Sequence, residues 1–228
     1  STEFFLAPLR NQEAVISSRM EGTISTLDEI LQYEADLDET TEEDPEKVRS
    51  EVFETILYQR ALTNAQRAMQ EGYPLSEHLV KSIHQQLLSF GRGAEKTPGK
   101  YKTEQNYLAD KIKQKIEFIP ISPEKLIDGM EDLFKYLEES QDAVLIKTAL
   151  MHLEFEALHP FKDGNGRIGR MLITLYLWST GTITAPHFYI SGYMEEHKDL
   201  YIDTMRRVSS EGKWEEWCNF FFKALEEQ

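Results

Sequence analysis

Along most of the chain, apolar residues recur every third or fourth position, the period of a helix with one buried face. Val48, Val52, Ile56 and Leu57 form such a face after an Asp44-Pro45 helix start, and their run ends near Gly72. Leu79, Val80, Ile83 and Leu87 form the next, opened by Ser76 and stopped at Gly91. Leu126, Ile127, Met130, Leu133, Phe134 and Leu137 follow a start at Ser122-Pro123. The stretches 143–158 and 165–180 are apolar enough to predict two buried helices, and helices at 195–210 and 214–226 finish the chain. Near the beginning, Pro8 is expected to break the apolar cluster Phe4-Phe5-Leu6. A helical run through Ala14, Val15 and Ile16 then reaches Glu21 and stops at Gly22, and another starts after Ser25 with Leu27, Ile30 and Leu31 on one face.

Two segments depart from this pattern. Residues 34–46 carry Glu34, Asp36, Asp38, Glu39, Glu42, Glu43, Asp44 and Glu46, a density of like charge that reads as a solvated loop. Residues 91–121 hold Gly91, Gly93, Pro98 and Gly99, then an alternating run, Lys115-Ile116-Glu117-Phe118-Ile119. Alternation predicts a strand. A two-stranded hairpin standing off a helical body, with 100–107 as its first strand and an open edge, is the expectation.

With 228 residues and few strand signals, one mostly α domain spanning 1–228 is expected. The formal charge of −15 speaks against nucleic acid or an anionic membrane as the main partner. Cys218 is the only cysteine, so the chain has no internal disulfide, in keeping with a cytoplasmic setting. Its apolar neighbours make it a core residue rather than a nucleophile. No secretory signal or membrane-spanning run is present. Because the chain does not open with Met, a longer native polypeptide is expected.

The chemistry gathers between the two apolar helices, in His159-Pro160-Phe161-Lys162-Asp163-Gly164-Asn165-Gly166-Arg167-Ile168-Gly169-Arg170. Pro160 forces the upstream helix to end, because the residue before proline avoids the α region. A tight loop then closes onto the N-terminus of the next helix, where unpaired N–H groups and a positive dipole end suit an anion. Gly164 and Gly166 allow close backbone approach. Arg167 and Arg170, three apart, share one helical side and offer forked donors to phosphate oxygens. Asp163 is a hard oxygen ligand of the kind Mg²⁺ takes beside substrate phosphates. His159 is the group whose ordinary pKa suits proton abstraction near neutrality. Base, metal ligand and phosphate cradle together point to transfer of a phosphate-containing group. The bland alternative is a glycine-rich turn with Asp163 and Asn165 as caps and solvated arginines. Elsewhere, His78 and His84 are read as structural or exposed, and His152 as a core histidine or one supporting the site.

This stretch resembles the signature of the Fic (filamentation induced by cAMP) family, H-P-F-x-[D/E]-G-N-G-R-x-x-R, at every specified position. The likeness runs from about residue 17 to residue 222. It implies a helical bundle with a short β-hairpin flap at 98–121, an active-site loop at 159–170 and an N-terminal inhibitory helix segment at 10–22. Pro98-Gly99-Lys100-Tyr101-Lys102 and Gln105-Asn106 stand where the family often has P-G-x-[YF]-R and Q-N. Lys102 in place of the usual Arg removes a forked contact there. In the family the flap edge takes up a target segment as an added strand.

The resemblance further implies transfer of AMP from ATP to a Ser, Thr or Tyr hydroxyl of a protein target. His159 would be the base and Asp163 would hold Mg²⁺. Nucleotide binding would fall to Gly164, Asn165, Gly166, Arg167, Gly169 and Arg170, with Asn165 in the anion hole. Hydrolytic removal of AMP at the same site, and a non-catalytic nucleotide-binding module, are the alternatives. Neither nucleic acid nor membrane is an expected partner, and a homodimer is compatible with the sequence.

One more motif belongs to the resemblance. Ser17-Ser18-Arg19-Met20-Glu21-Gly22 matches the family's inhibitory pattern [S/T]-x-x-x-E-[G/N]. Ser17 and Glu21, four apart, share a helix face. The family places such a glutamate on the second arginine, here Arg170.

Overall fold

The computed structural model describes residues 2–21, 31, 50–110 and 115–228. The Gly22 stop, the helix start after Ser25 with Leu27 and Ile30, the acidic stretch 34–46, the Asp44-Pro45 start and Val48 lie outside the described residues. Helices dominate the rest: α1 (Thr2–Met20), α2 (Ser50–Gln70), α3 (Glu77–Leu87), α4 (Pro123–Glu139), α5 (Val144–Leu158), α6 (Asn165–Ser179), α7 (Ser191–Glu196), α8 (Lys198–Glu211) and α9 (Trp214–Glu226).

The pair α5–α6 is the spine. Its apolar residues are not confined to one stripe because it is covered on two sides. On one side Phe155, Leu158, Ile168, Leu172 and Leu175 pack with Tyr58, Leu62, Ile83, Leu87, Leu126 and Met130. On the other, Leu153, Ile173 and Leu177 pack with Tyr201, Val208, Trp217 and Phe221. The Trp217 indole N–H donates to the Ala149 carbonyl at 2.9 Å, so this bulky ring is buried with its polar atom satisfied. These two cores hold the loop between α5 and α6 from both flanks.

Several helix starts and stops follow their sequence signals. The Ser76 hydroxyl accepts from the Leu79 N–H at 3.3 Å, and Pro123 begins α4. Gly212 ends α8 at φ +69°. Three expectations need correction. Pro8 lies inside α1 rather than breaking the helix. It removes one backbone donor only, and the turns after it are fastened to other elements. The helix expected at 195–210 begins at Ser191 and divides at His197, whose backbone leaves helical geometry (φ −111°, ψ 36°) with its ring 4.3 Å from that of Tyr193.

The third correction concerns the β-hairpin flap. The fold is a helical bundle, and 98–121 is not a β-hairpin standing off it. Strand pairing among the described residues shrinks to Leu108–Asp110 against Lys115–Phe118, with an irregular register between Leu108 and Ala109. Residues 100–107, expected as the first strand, form none. Their polar groups turn inward. The Lys102 N–H donates to the Pro160 carbonyl at 2.8 Å, and the Asn106 side chain donates to the carbonyls of His159 (3.0 Å) and Phe161 (3.2 Å). With the Lys102 N–H spent on the Pro160 carbonyl and the Asn106 side chain held under the loop, this segment does not run as a free edge strand.

Candidate active site

His159 caps α5 in the left-handed region (φ 45°, ψ 60°), a conformation that costs a non-glycine residue about 1–3 kcal/mol. Its N–H donates to the Phe155 carbonyl at 2.9 Å, and Asn106 holds its carbonyl. The ring is fixed as well. Nδ1 lies 3.3 Å from the Glu156 carbonyl, which can only accept, so Nδ1 carries the proton and Nε2 is left as the basic nitrogen. Burial pushes the imidazole pKa down to about 4 against the opposing pull of Glu156 and Glu21, so the ring is neutral at pH 7.

Gly164 turns the chain into α6 at φ +82°, and the first helical bond runs from the Ile168 N–H to the Gly164 carbonyl at 3.0 Å. Gly164 cannot cap with a side chain, so the first N–H groups of α6 stay available. Asn165 is buried and its side chain spans the loop, accepting from the Phe161 N–H at 2.8 Å and donating to the Phe161 carbonyl at 2.7 Å. Its amide braces the loop across Phe161. Asn165→Ala should cost roughly 2–3 kcal/mol, since it leaves the buried Phe161 N–H unpaired and takes one of two donors from the Phe161 carbonyl. That corresponds to a melting temperature lower by roughly 5–10 °C for a chain of this size. A calorimetric scan showing no change would contradict the role.

His84, read as structural or exposed, proves to be a buried brace. It donates from Nε2 to the Asp163 carbonyl at 2.9 Å and accepts the Gly99 N–H on Nδ1 at 2.8 Å. Its ring stacks on Phe161 at 3.7 Å. Lys102 is buried too. Its ammonium donates to the Leu158 carbonyl (3.1 Å) at the C-terminal end of α5, and to Asn106 (2.7 Å). Desolvation brings its pKa down to about 8. A lysine serves here because the site needs single contacts to a helix end, not a planar fork.

The Asp163 carboxylate is held through Oδ1, by the Gly164 N–H at 2.6 Å and Arg167 Nη2 at 3.4 Å. Among the described residues no three His, Cys, Asp or Glu side chains converge as a metal cage. A single, one-third-exposed carboxylate is nonetheless the donor set that Mg²⁺ uses when phosphates and waters complete its shell. Arg167 is buried, and its Nε has no hydrogen-bond partner among the described residues. A buried cationic donor left short of acceptors suits an incoming anion.

Arg170 is fully engaged from α1. Its Nε donates to Ser17 Oγ at 2.8 Å, and Nη2 donates to the Ser17 carbonyl and to Glu21 Oε1, each at 2.9 Å. Burial works against the charge of both partners. The pair outweighs it, holding the Glu21 carboxyl below its ordinary value and the guanidinium above its own. The Glu21 carboxylate also lies on Gly166: a methyl group there would overlap Glu21 Oε1 and fall 2.9 Å from Arg170 Nη1. An anion therefore already rests at the N-terminus of α6, and it belongs to the chain itself.

Further bonds fasten α1. Arg19 and Glu195 form a forked pair (2.9 and 2.6 Å), and Lys198 donates to the Met20 carbonyl at 3.2 Å. Arg92 donates to the Glu21 carbonyl at 3.1 Å. Buried Glu13 accepts from the Ser191 hydroxyl and N–H and from Tyr58. Behind Arg170, His152 donates from Nδ1 to the Gly169 carbonyl (3.0 Å) and accepts the Tyr201 hydroxyl on Nε2 (2.6 Å). Burial holds the His152 pKa at about 3. A histidine depressed in the folded state leaves the unfolded chain binding more protons below pH 6.5. Stability should therefore fall as pH drops from about 6.5 towards 3, by up to about 1.4 kcal/mol per pH unit from this group. Urea unfolding at stepped pH measures that slope, and a flat profile would contradict it.

Comparison with known proteins identifies the family and the fold. The Fic/DOC family matches residues 74–177, and the Fic/DOC family N-terminal region matches residues 1–67. The chain belongs to the Fic/DOC family. A probable protein adenylyltransferase of Aquifex aeolicus (strain VF5) is 27% identical over 212 residues, covering 90% of this chain and 57% of that protein. The protein adenylyltransferase fic-1 of Caenorhabditis briggsae is 28% identical over 121 residues, 52% of this chain and 22% of that protein. The chain thus spans from about a fifth to just over half of these relatives. A Fic family protein from Desulfovibrio desulfuricans G20 superposes with a TM-score of 0.77 at 22% identity, covering 97% of this chain and 63% of that one. A Fic domain containing signaling protein from Bacteroides thetaiotaomicron VPI-5482 gives 0.73 at 19% identity, with 95% and 84% covered. Those structures share the fold. No described helix is long and apolar enough to cross a membrane.

Proposed function

We propose that this chain transfers AMP from ATP to a hydroxyl side chain of a protein, and that Glu21 restrains the reaction. The observation that carries the reading is the placement of a neutral, oriented imidazole beside a helix N-terminus whose anion position is filled by the chain's own carboxylate. Glu21 marks where a phosphate oxygen would lie. The names of the relatives support the same activity.

In this reading His159 Nε2 takes the proton of the target hydroxyl as its oxygen bonds to the α-phosphorus. The bond from that phosphorus to the bridging oxygen breaks, and pyrophosphate leaves. The N-terminus of α6, Arg167 and Arg170 hold the phosphates, the last after Glu21 has left it. Asp163 would hold Mg²⁺, which when bound neutralises phosphate charge. Asn165 and His84 keep the loop in shape. The target and the modified residue type, Ser, Thr or Tyr, are set by surfaces outside this cradle.

The test is incubation of the Glu21→Gly chain with Mg²⁺, a native lysate and ATP labelled at either the α or the γ position. Protein-bound α label with no γ label is the expected result. γ label on protein would replace AMP transfer by phosphate transfer. Release of AMP from modified protein, lost in Glu21→Gly, would favour the hydrolytic direction, with the same carboxylate orienting water.

A further inference from the structure

Glu156 is a largely buried carboxyl group that the mechanism above leaves unused. It sits three residues before His159 on the last turn of α5, so its side chain is on the side of the helix that carries the imidazole. Oε2 lies 3.8 Å from His159 Nδ1, the nitrogen that donates to the Glu156 carbonyl. Oε1 is buried with no hydrogen-bond partner among the described residues. It presses instead on α6, where a methyl group on Gly169 would fall 2.6 Å from it. An acid placed in so dry a position, with half its acceptors idle, is costly unless it answers a charge that forms later. Only glycine at 169 leaves room for it.

We infer that Glu156 is a positioning residue for the proposed transfer: it holds the Nδ1 side of His159 and supplies the negative charge that faces the imidazolium formed when Nε2 takes the hydroxyl proton. The inference rests on the reading of His159 as the base. No atom is transferred to or from Glu156. The proton moves from the hydroxyl oxygen to Nε2 and then to solvent, while the charge beside Nδ1 lowers the cost of the cation.

The charged and titratable groups around the pair come from every neighbouring element: Arg170 from α6, Glu21 from the end of α1, Tyr201 from α8, Lys102 from the segment before Leu108–Asp110, and Asp163 from the signature loop. Burial raises the Glu156 carboxyl to about 7, Arg170 pulls it down and Glu21 pushes it up. Glu21 in place therefore favours the neutral, idle acid, and its departure favours the charged one.

The test compares Glu156→Gln with Glu156 intact, both in the Glu21→Gly background. Glutamine keeps the shape and removes the charge. The expected result is a kcat about tenfold lower or more, a fraction of what a general base supplies, with KM for ATP within twofold. The rate of the parent should rise with pH through a step at or below neutrality that Glu156→Gln lacks. Melting at pH 8 should be equal or higher in Glu156→Gln, since a buried charge has been removed; a purely structural residue would lower it. In a His159→Ala background the substitution should have no further effect. Unchanged kcat, equal losses in kcat and ATP affinity, or a further loss without His159 would each overturn the assignment. Absence of any transfer in Glu21→Gly itself would instead remove the activity on which the assignment rests. As a readout without turnover, the His159 ring resonances should move with pH around neutrality and cease to do so in Glu156→Gln. Persistence of that step would also overturn it.

Discussion

Glu21→Gly is expected to raise AMP transfer at least tenfold over the unsubstituted chain. Arg170 gives α1 three hydrogen bonds, and the one from Nη2 to Glu21 joins two opposite charges at 2.9 Å. The arginine is buried while Glu21 is one-third exposed, so the pair is partly shielded from water. Charge-assisted bonds of this sort contribute roughly 1.5–3 kcal/mol net. Every 1.4 kcal/mol is tenfold in a population. Glycine removes the carboxylate, leaves the Ser17 contacts in place, and frees both the guanidinium and the space over Gly166. Replacing Arg170 as well should cancel the gain, because the group that was freed is then missing. Initial rates of α-label incorporation for the single and double substitutions, with a competent target present, decide the matter. Equal rates in Glu21→Gly and the parent would end the inhibitory reading.

His159→Ala should lower transfer by on the order of 10²–10⁴-fold while Mg²⁺–ATP affinity stays within a few-fold. The two effects separate because the imidazole and the cradle are built from different elements. The ring hangs from the end of α5, tied through Nδ1 to Glu156, whereas the helix end, Arg167 and Arg170 belong to α6. No hydrogen bond between the ring and Arg167 or Arg170 competes for the phosphates. Equilibrium binding of the nucleotide, measured in the Glu21→Gly background beside the transfer rate, gives both quantities. Transfer near the parent rate without His159 would remove the base assignment, and an equal collapse of binding would make the residue part of the cradle.

What could be read from the sequence was what short stretches encode. The apolar period of α5 and α6, the Ser76 and Ser122-Pro123 starts and the twelve-residue signature are each complete within a few turns of chain. So was the Ser17–Glu21 spacing, although its meeting with Arg170 crosses 149 positions and came from the family pattern. Contacts made across the fold were not legible. Nothing near His84 indicates that it will bond to Gly99 on one side and to Asp163 on the other. Asn165 looks like a ligand-binding amide in a glycine-rich loop, and its bracing of the chain at Phe161 is not written beside it. Lys102 and Asn106 show why the hairpin expectation failed: alternation in 115–119 suggested a partner strand, but the candidate partner spends its polar groups on the α5–α6 loop. Glu156 was simply one acid among many. Its significance lies in an Oε2 that faces His159 and an Oε1 with no hydrogen-bond partner among the described residues, and neither can be seen in one dimension.

The fastening of α1 has a further consequence. Arg19 to Glu195, Lys198 to Met20 and Arg170 to Glu21 all join parts of one polypeptide. In the proposed reading the carboxylate on α6 is a tethered competitor, whose effective concentration is set by geometry and not by the amount of protein. Dilution would leave the restraint intact, and the apparent ATP affinity would be the intrinsic one scaled by the fraction of molecules with α1 displaced. A restraint delivered from a second copy would instead fade as the protein is diluted. Specific activity measured over a wide range of enzyme concentration should accordingly be constant.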